Sequence, residues 1–215
     1  MKLPRALSQS DDAEALALLQ CYYGRGAHAH HHPFTGAWFD TWNSSGTRDQ
    51  DADRFTADDL VAVTFLSVEI SPLAARSLLV SDADDFTALL KELGQDRDLV
   101  QETDGWSDDW VGWRLWQKLV ALPDVGPTKA SKLYARKRPR LRPIYDSVVS
   151  TVLTTKDAWE PLRAELQQNA DLHPRLLKLR GEADLPSEVS ALRVFDVITW
   201  MEGTHGSTCP WPSTR

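Results

Sequence analysis

The stretch LPDVGPTKASKL, residues 122–133, decides the fold. It joins two helical patterns through a turn of the form Leu-Pro-x-Val-Gly. Upstream, Trp110, Trp113, Trp116 or Gln117, and Val120 recur at helical spacing. Downstream, PTKASKLYARK opens with a proline, which suits the first turn of a helix. Two helices around so short a turn make a helix-hairpin-helix. Gly126 is expected to supply a backbone conformation that residues with side chains adopt at a cost. The turn then presents consecutive amides at the start of the second helix. With the helix dipole behind them, those amides suit a phosphate. Val125, Gly126 and Thr128 are therefore candidate DNA-binding positions, and Lys129, Lys132 and Arg136 would add positive charge beside a nucleic-acid backbone.

Working outward, the chain reads as all-α. Ser10, Thr56, Ser71-Pro72 and Ser81 or Asp82 supply helix starts, and Gly24 and Gly94 supply stops. Further helices are expected over the segments beginning at Ser107, Ile144, Asp157, Pro174 and Pro186-Ser187. Residues 24–54 are too long for a plain connector, and their aromatics Phe34, Trp38, Phe39 and Trp42 predict order by packing. No period-2 strand pattern and no internal repeat is present. The expected organisation is a single helical domain over 1–215. It has an N-terminal helical part (1–105), a hairpin and C-terminal part (106–203), and a loose tail (204–215).

The 215 residues carry a net charge of −7, which argues against a protein that coats nucleic acid non-specifically. The distribution is uneven: residues 114–142 hold nine Lys or Arg and one acid, Asp124. A positive face on a negative body is the expectation. No apolar run reaches the roughly 18 residues of a membrane span, so no membrane contact is expected. Cys21 and Cys209, far apart in sequence, suggest no disulfide framework and no metal set, and a reducing cytoplasm fits. The tract His28, His30, His31, His32 lacks a nearby Cys or Asp that would complete a rigid metal site, so no metal and no cofactor are expected. Of the tryptophans, most sit at helical core spacing, while Trp38 and Trp42 are the candidate base stackers.

Ten residues past the hairpin helix's first turns comes PIYDSVV, residues 143–149. The combined stretch, residues 122–153, resembles the core of the helix-hairpin-helix DNA glycosylase superfamily, which includes endonuclease III and adenine-DNA glycosylase. There a Leu-Pro-Gly-Val-Gly hairpin precedes a catalytic aspartate at a helix start by about twenty residues, and Gly126 and Asp146 have that separation. The resemblance implies two helical lobes flanking a cleft, with Asp146 as the catalytic group. Bifunctional members carry a lysine where this chain has Thr128, so a glycosylase of this kind would be monofunctional and remove a damaged or modified base. Asp124 departs from the family pattern, standing where the first hairpin glycine would be, and predicts weak DNA binding. For Asp146 the other reading is a helix cap. The whole chain also resembles a family of uncharacterised actinobacterial proteins with similar GAWFDTW, FTADDLVAV and ARKRPRLRPIYD segments, which carries no activity over. The alternative function is a non-enzymatic module that keeps the fold and binds DNA or a protein partner.

Overall fold

The computed structural model describes residues 1–103 and 107–210. The expected boundary between the two helical parts, at 105 and 106, lies outside them, as does the end of the tail. Among the described residues every regular element is helical. A short α1 (Arg5–Ser8) leads into α2 (Ala13–Tyr23), which stops at Gly24 in the left-handed conformation, φ +60°. Residues 24–54 carry only two 3-10 turns. They are ordered by packing, as expected: Phe39 and Asp40 are buried, and Phe34 stacks on Tyr22 at 5.3 Å. Helix α3 (Ala57–Thr64) starts with a capping box between Thr56 and Asp59. Helix α4 (Pro72–Arg76) is capped by the Ser71 hydroxyl and runs into a π turn at Ser77–Ser81. Helix α5 (Ala83–Leu93) follows.

The hairpin pair is α6 (Val111–Val120) and α7 (Pro127–Lys137). Helix α8 (Ser147–Leu153) begins at Asp146. Helices α9 (Trp159–Gln168) and α10 (Leu172–Glu182) lead to α11 (Ala191–His205), the longest. The start of α11 is three residues later than a cap at Pro186-Ser187 suggested. The Ser190 hydroxyl caps it by accepting from the Arg193 amide at 3.1 Å.

Helix α7 is the buried centre of the molecule. From Ala130 to Lys137 every residue is buried, and α7 packs on α3 and α6, while α11 packs on α2, α8 and α10. Pairings such as α3–α7 and α2–α11 join the N-terminal to the C-terminal half.

This placement overturns the expected positive face. Arg136 is buried, with Nε 3.0 Å from Asp59 Oδ1 and further bonds to the Phe39 and Trp42 carbonyls. Lys137 reaches the other Asp59 oxygen at 2.6 Å. Arg138 spends its guanidinium on the Gly94, Ala52 and Leu90 carbonyls. Arg142 lies 4.1 Å from both the Trp116 and Trp159 rings, a cation–π sandwich. Lys132 is also buried. The outer cations are paired: Arg114 with Glu92, Lys118 with Asp85, Lys129 with Asp124, Arg140 with Asp98. The physical reason is topological. From Ala130 onward α7 has no solvent face, so its long cationic side chains reach outward to satisfy carbonyls and carboxylates of the surrounding layers.

The tail is likewise not loose throughout. Cys209 is disulfide-bonded to Cys21, with Cα atoms 5.8 Å apart across 188 residues of sequence. Sequence distance had hidden this pairing: the end of α11 returns to α2, and only the fold brings the two cysteines together.

Candidate functional site

The hairpin forms where the sequence placed it, but its special residue is a different one. Gly126 has φ −81° and ψ −179°, ordinary extended backbone, and a Cβ there would meet nothing within 4 Å. Asp124 takes the left-handed conformation, φ +62°. An Asp tolerates that region better than most residues, and here its carboxylate also pairs with Lys129 at 2.7 Å. Lys129 is thus held beside the turn, with its charge balanced. The Val125 amide closes the turn on the Leu122 carbonyl at 3.0 Å. Gly126 caps α7 without a side chain, so the first-turn amide of Thr128 faces no competing cap.

From α7 the chain returns to the site through Pro143–Asp146. The Ser131 hydroxyl, on α7, accepts from the Tyr145 amide at 3.1 Å and lies the same distance from the Tyr145 carbonyl. This clasp fixes Asp146 relative to the hairpin helix. Asp146 is the N-cap of α8: its Oδ1 accepts from the Val148 and Val149 amides, both at 3.0 Å. Among the described residues, Oδ2 accepts no hydrogen bond. One oxygen of the carboxylate is thus spent on the cap and the other is uncommitted.

Asp146 also lines a cavity of about 370 Å³, a volume in the range of small-molecule sites. Its sides are aromatic: Tyr22, Phe34, Phe65 and Trp200. Phe34 and Trp200 meet edge to face at 5.7 Å. Its polar wall brings together Thr128 and Lys132 from α7, Asp146, and Arg193 and Asp196 from α11. Thr128 and Lys132 are one helical turn apart, so they share a face. Lys132 thus belongs to the site, but as a cavity residue and not as a phosphate contact on the surface. Its Nζ donates to the Leu66 carbonyl at 2.8 Å, and burial lowers its pKa against the opposing pull of Asp146 and Asp196. Next to that carbonyl, Ser67 lines the cavity at φ +59°, a strained conformation for a serine. Arg136 and the proposed stackers lie elsewhere. Trp38 is half-exposed and Trp42 partly buried. Both abut Phe65 edge-on, at 5.7 and 5.1 Å, and neither lines the cavity.

Behind the polar wall lies a buried network that the sequence reading missed. Arg193 donates to Asp40 Oδ2 at 3.0 Å, to the Tyr22 hydroxyl at 2.9 Å, to the Gly36 carbonyl at 2.8 Å, and to Asp196 Oδ2. Burial works against the Arg193 charge, but Tyr22, Asp40 and Asp196 outweigh it and its pKa is held well up. Burial pushes Asp196 up to about 7 despite Arg193, with Asp146 adding repulsion. The arrangement is one guanidinium between two carboxylates, Asp40 and Asp196. The signal for this pair was an Arg and an Asp one turn apart in the otherwise apolar ALRVFDVITW.

A larger groove, about 570 Å³, lies among Arg48, Asp96, Arg140 and Arg180. Its Arg140 is committed to Asp98 through two bonds, at 2.9 and 2.5 Å, and its Arg136 and Lys137 to Asp59. It has none of the aromatic surface of the smaller cavity. Among the described residues no cluster of three His, Cys, Asp or Glu side chains could hold a metal, and no helix is long and apolar enough to cross a membrane.

Neither the curated proteins nor the solved structures include a match to this chain. A model described as "Family of unknown function (DUF6308)" matches residues 15–203. With that match spanning most of its length, the chain belongs to the DUF6308 family.

Proposed function

We propose that the cavity receives a single unstacked nucleobase, and that the protein acts as a monofunctional DNA N-glycosylase with Asp146 as its catalytic group. The observation that carries this reading is the uncommitted Oδ2 of Asp146 on the wall of an aromatic-sided cavity, just behind a hairpin whose Thr128 amide meets no side-chain cap. Aromatic sides suit a flat ring taken out of its stack. As the bond from sugar C1′ to the base nitrogen breaks, the electron pair leaves with the base and positive charge develops on the sugar. A fixed carboxylate at that point stabilises the charge and takes a proton from the water that attacks C1′. The cap bonds hold the carboxylate rigid, which is what such a role requires. DNA contact would rest on the Gly126 and Thr128 amides more than on lysines and arginines, most of which are spent internally.

The second reading is a module that binds DNA or a protein partner without chemistry. It is favoured by the same cap bonds, which give Asp146 a structural purpose, and by the inward cations.

Asp146→Asn separates the two. Asn keeps the size and the acceptor for the cap while removing the charge. We expect a melting temperature within about 2 °C of wild type, and complete loss of alkali-labile abasic sites on oligonucleotides carrying alkylated, deaminated or oxidised bases. A wild type that releases none of these bases, with binding intact, supports the module.

A further inference from the structure

The polar end of the cavity has a defined hydrogen-bonding pattern. Asp196 is buried, and only its Oδ2 is engaged, by Arg193. Among the described residues Oδ1 has no hydrogen-bond partner, and the residue faces the cavity. Lys132 donates one N–H to the Leu66 carbonyl and has two more to offer. Its ammonium senses Asp196 and Asp146. The wall thus offers one acceptor and one donor to the same cavity, whose other sides are aromatic. Buried polar groups of this kind are costly when left unmatched, so they discriminate strongly between ligands.

We propose that Asp196 and Lys132 select a ring with a lactam edge, an N–H beside a C=O, as in uracil and hypoxanthine, over amino-substituted rings such as cytosine and adenine. Asp196 Oδ1 accepts from the ring N–H, and Lys132 donates to the adjacent carbonyl. An adenine ring presents the reverse order on that edge, an acceptor nitrogen beside an amino donor. It would set its ring nitrogen against the carboxylate and its amino group against the ammonium. The inference rests on the base-binding reading above and names the class of base. It adds Asp196 and Lys132 as specificity-determining residues, distinct from Asp146.

The free nucleosides inosine and adenosine differ at this edge, and uridine and cytidine form a second such pair. Titration of the whole protein at pH 8, followed by tryptophan fluorescence with Trp200 in the cavity wall, reads binding directly. We expect inosine to bind at least about tenfold more tightly than adenosine, and uridine than cytidine. In Asp196→Asn, Arg193 should hold the amide oxygen, turning the NH2 toward the cavity. The acceptor becomes a donor, and the inosine preference should fall to about twofold or invert. Lys132→Met should also abolish the preference, and it carries the test if Asp196→Asn does not fold. Equal binding of inosine and adenosine by wild type overturns this inference and leaves the base-binding reading standing. A preference retained in folded Asp196→Asn or in Lys132→Met also overturns it. Failure of all four nucleosides to bind overturns both.

Discussion

At the scale of single residues, the hairpin and its carboxylate each answer to a backbone requirement. Asp124 occupies left-handed backbone that glycine adopts freely, and it holds Lys129 in an ion pair. Asp124→Gly should relieve that conformation, stabilising the fold by up to about 1 kcal/mol, and release the Lys129 charge beside the hairpin amides. DNA affinity at low salt, measured by fluorescence anisotropy, should rise several-fold, and a drop would mean the hairpin does not face the phosphate. Asp196 gives the site a pH signature. Arg193 on its own helix, Lys132 on α7, Asp146 at α8, and Tyr22 and Asp40 on the other side surround it. Its folded pKa of about 7 lies above its value of 3.8 in the open chain, so the folded state binds the extra proton. Stability from this group is fully present below about pH 4 and declines as pH rises toward 7. The melting temperature of wild type should therefore fall more between pH 5 and pH 8 than that of Asp196→Asn, which mimics the protonated form. Parallel pH curves for the two proteins would assign the proton elsewhere.

At the scale of elements, α11 positions the site by close approach to α8. A Cβ at Gly203 would lie 2.5 Å from Val148 Cγ1 and 2.8 Å from Val152 Cγ2, so glycine is what lets the two helices pack. Gly203→Ala gains about 1 kcal/mol in helix propensity but meets branched side chains that cannot swing away, at a cost of about 1–3 kcal/mol. Thermal unfolding should show a net loss, and Asp146, at the head of α8, should be displaced enough to lower base release. A stabilised variant would show that α8 shifts without strain. The sequence was legible where local chemistry decides the outcome. Thr56, Ser71-Pro72, Gly24 and Gly94 mark real helix ends, and the turn at 122–126 is where its residues said. It misled where burial decides. ARKRPRLR reads as an exposed basic run because nothing local tells that α7 is enclosed, and Lys132 and Arg136 went with it. The aromatic cavity wall comes from residues 22, 34, 65 and 200, whose meeting is a product of the fold alone. Asp146, singled out by its spacing from Gly126, does line the cavity, while Arg193 and Asp196 left a readable trace, a charged pair inside an apolar helix.

At the scale of the whole molecule, the charge distribution and the disulfide point the same way. The cations that sequence placed on one surface instead tie the helices to one another, through Asp59, Asp98 and backbone carbonyls. The Cys21–Cys209 bond then closes a loop of nearly the full chain and fastens the end of α11 to α2, both of which line the cavity through Trp200 and Tyr22. Four residues before Cys209, His205 packs on Phe34 and Trp200 at 5.5 and 5.8 Å, so the fastened segment also backs the aromatic wall. Closing so long a loop removes much of the open chain's entropy. For separations of this size the stabilisation is about 3–5 kcal/mol, or roughly 10 °C in melting temperature for a chain of this length. Dithiothreitol should lower the melting temperature of wild type by that order, and leave a Cys209→Ser variant, already lowered to the same value, unchanged. Nucleoside binding should weaken along with it, because the cavity wall loses its fastening. Identical melting curves with and without reductant, in a protein shown by mass to be oxidised beforehand, would mean that packing of α11 on α2 holds this end of the molecule without the covalent link.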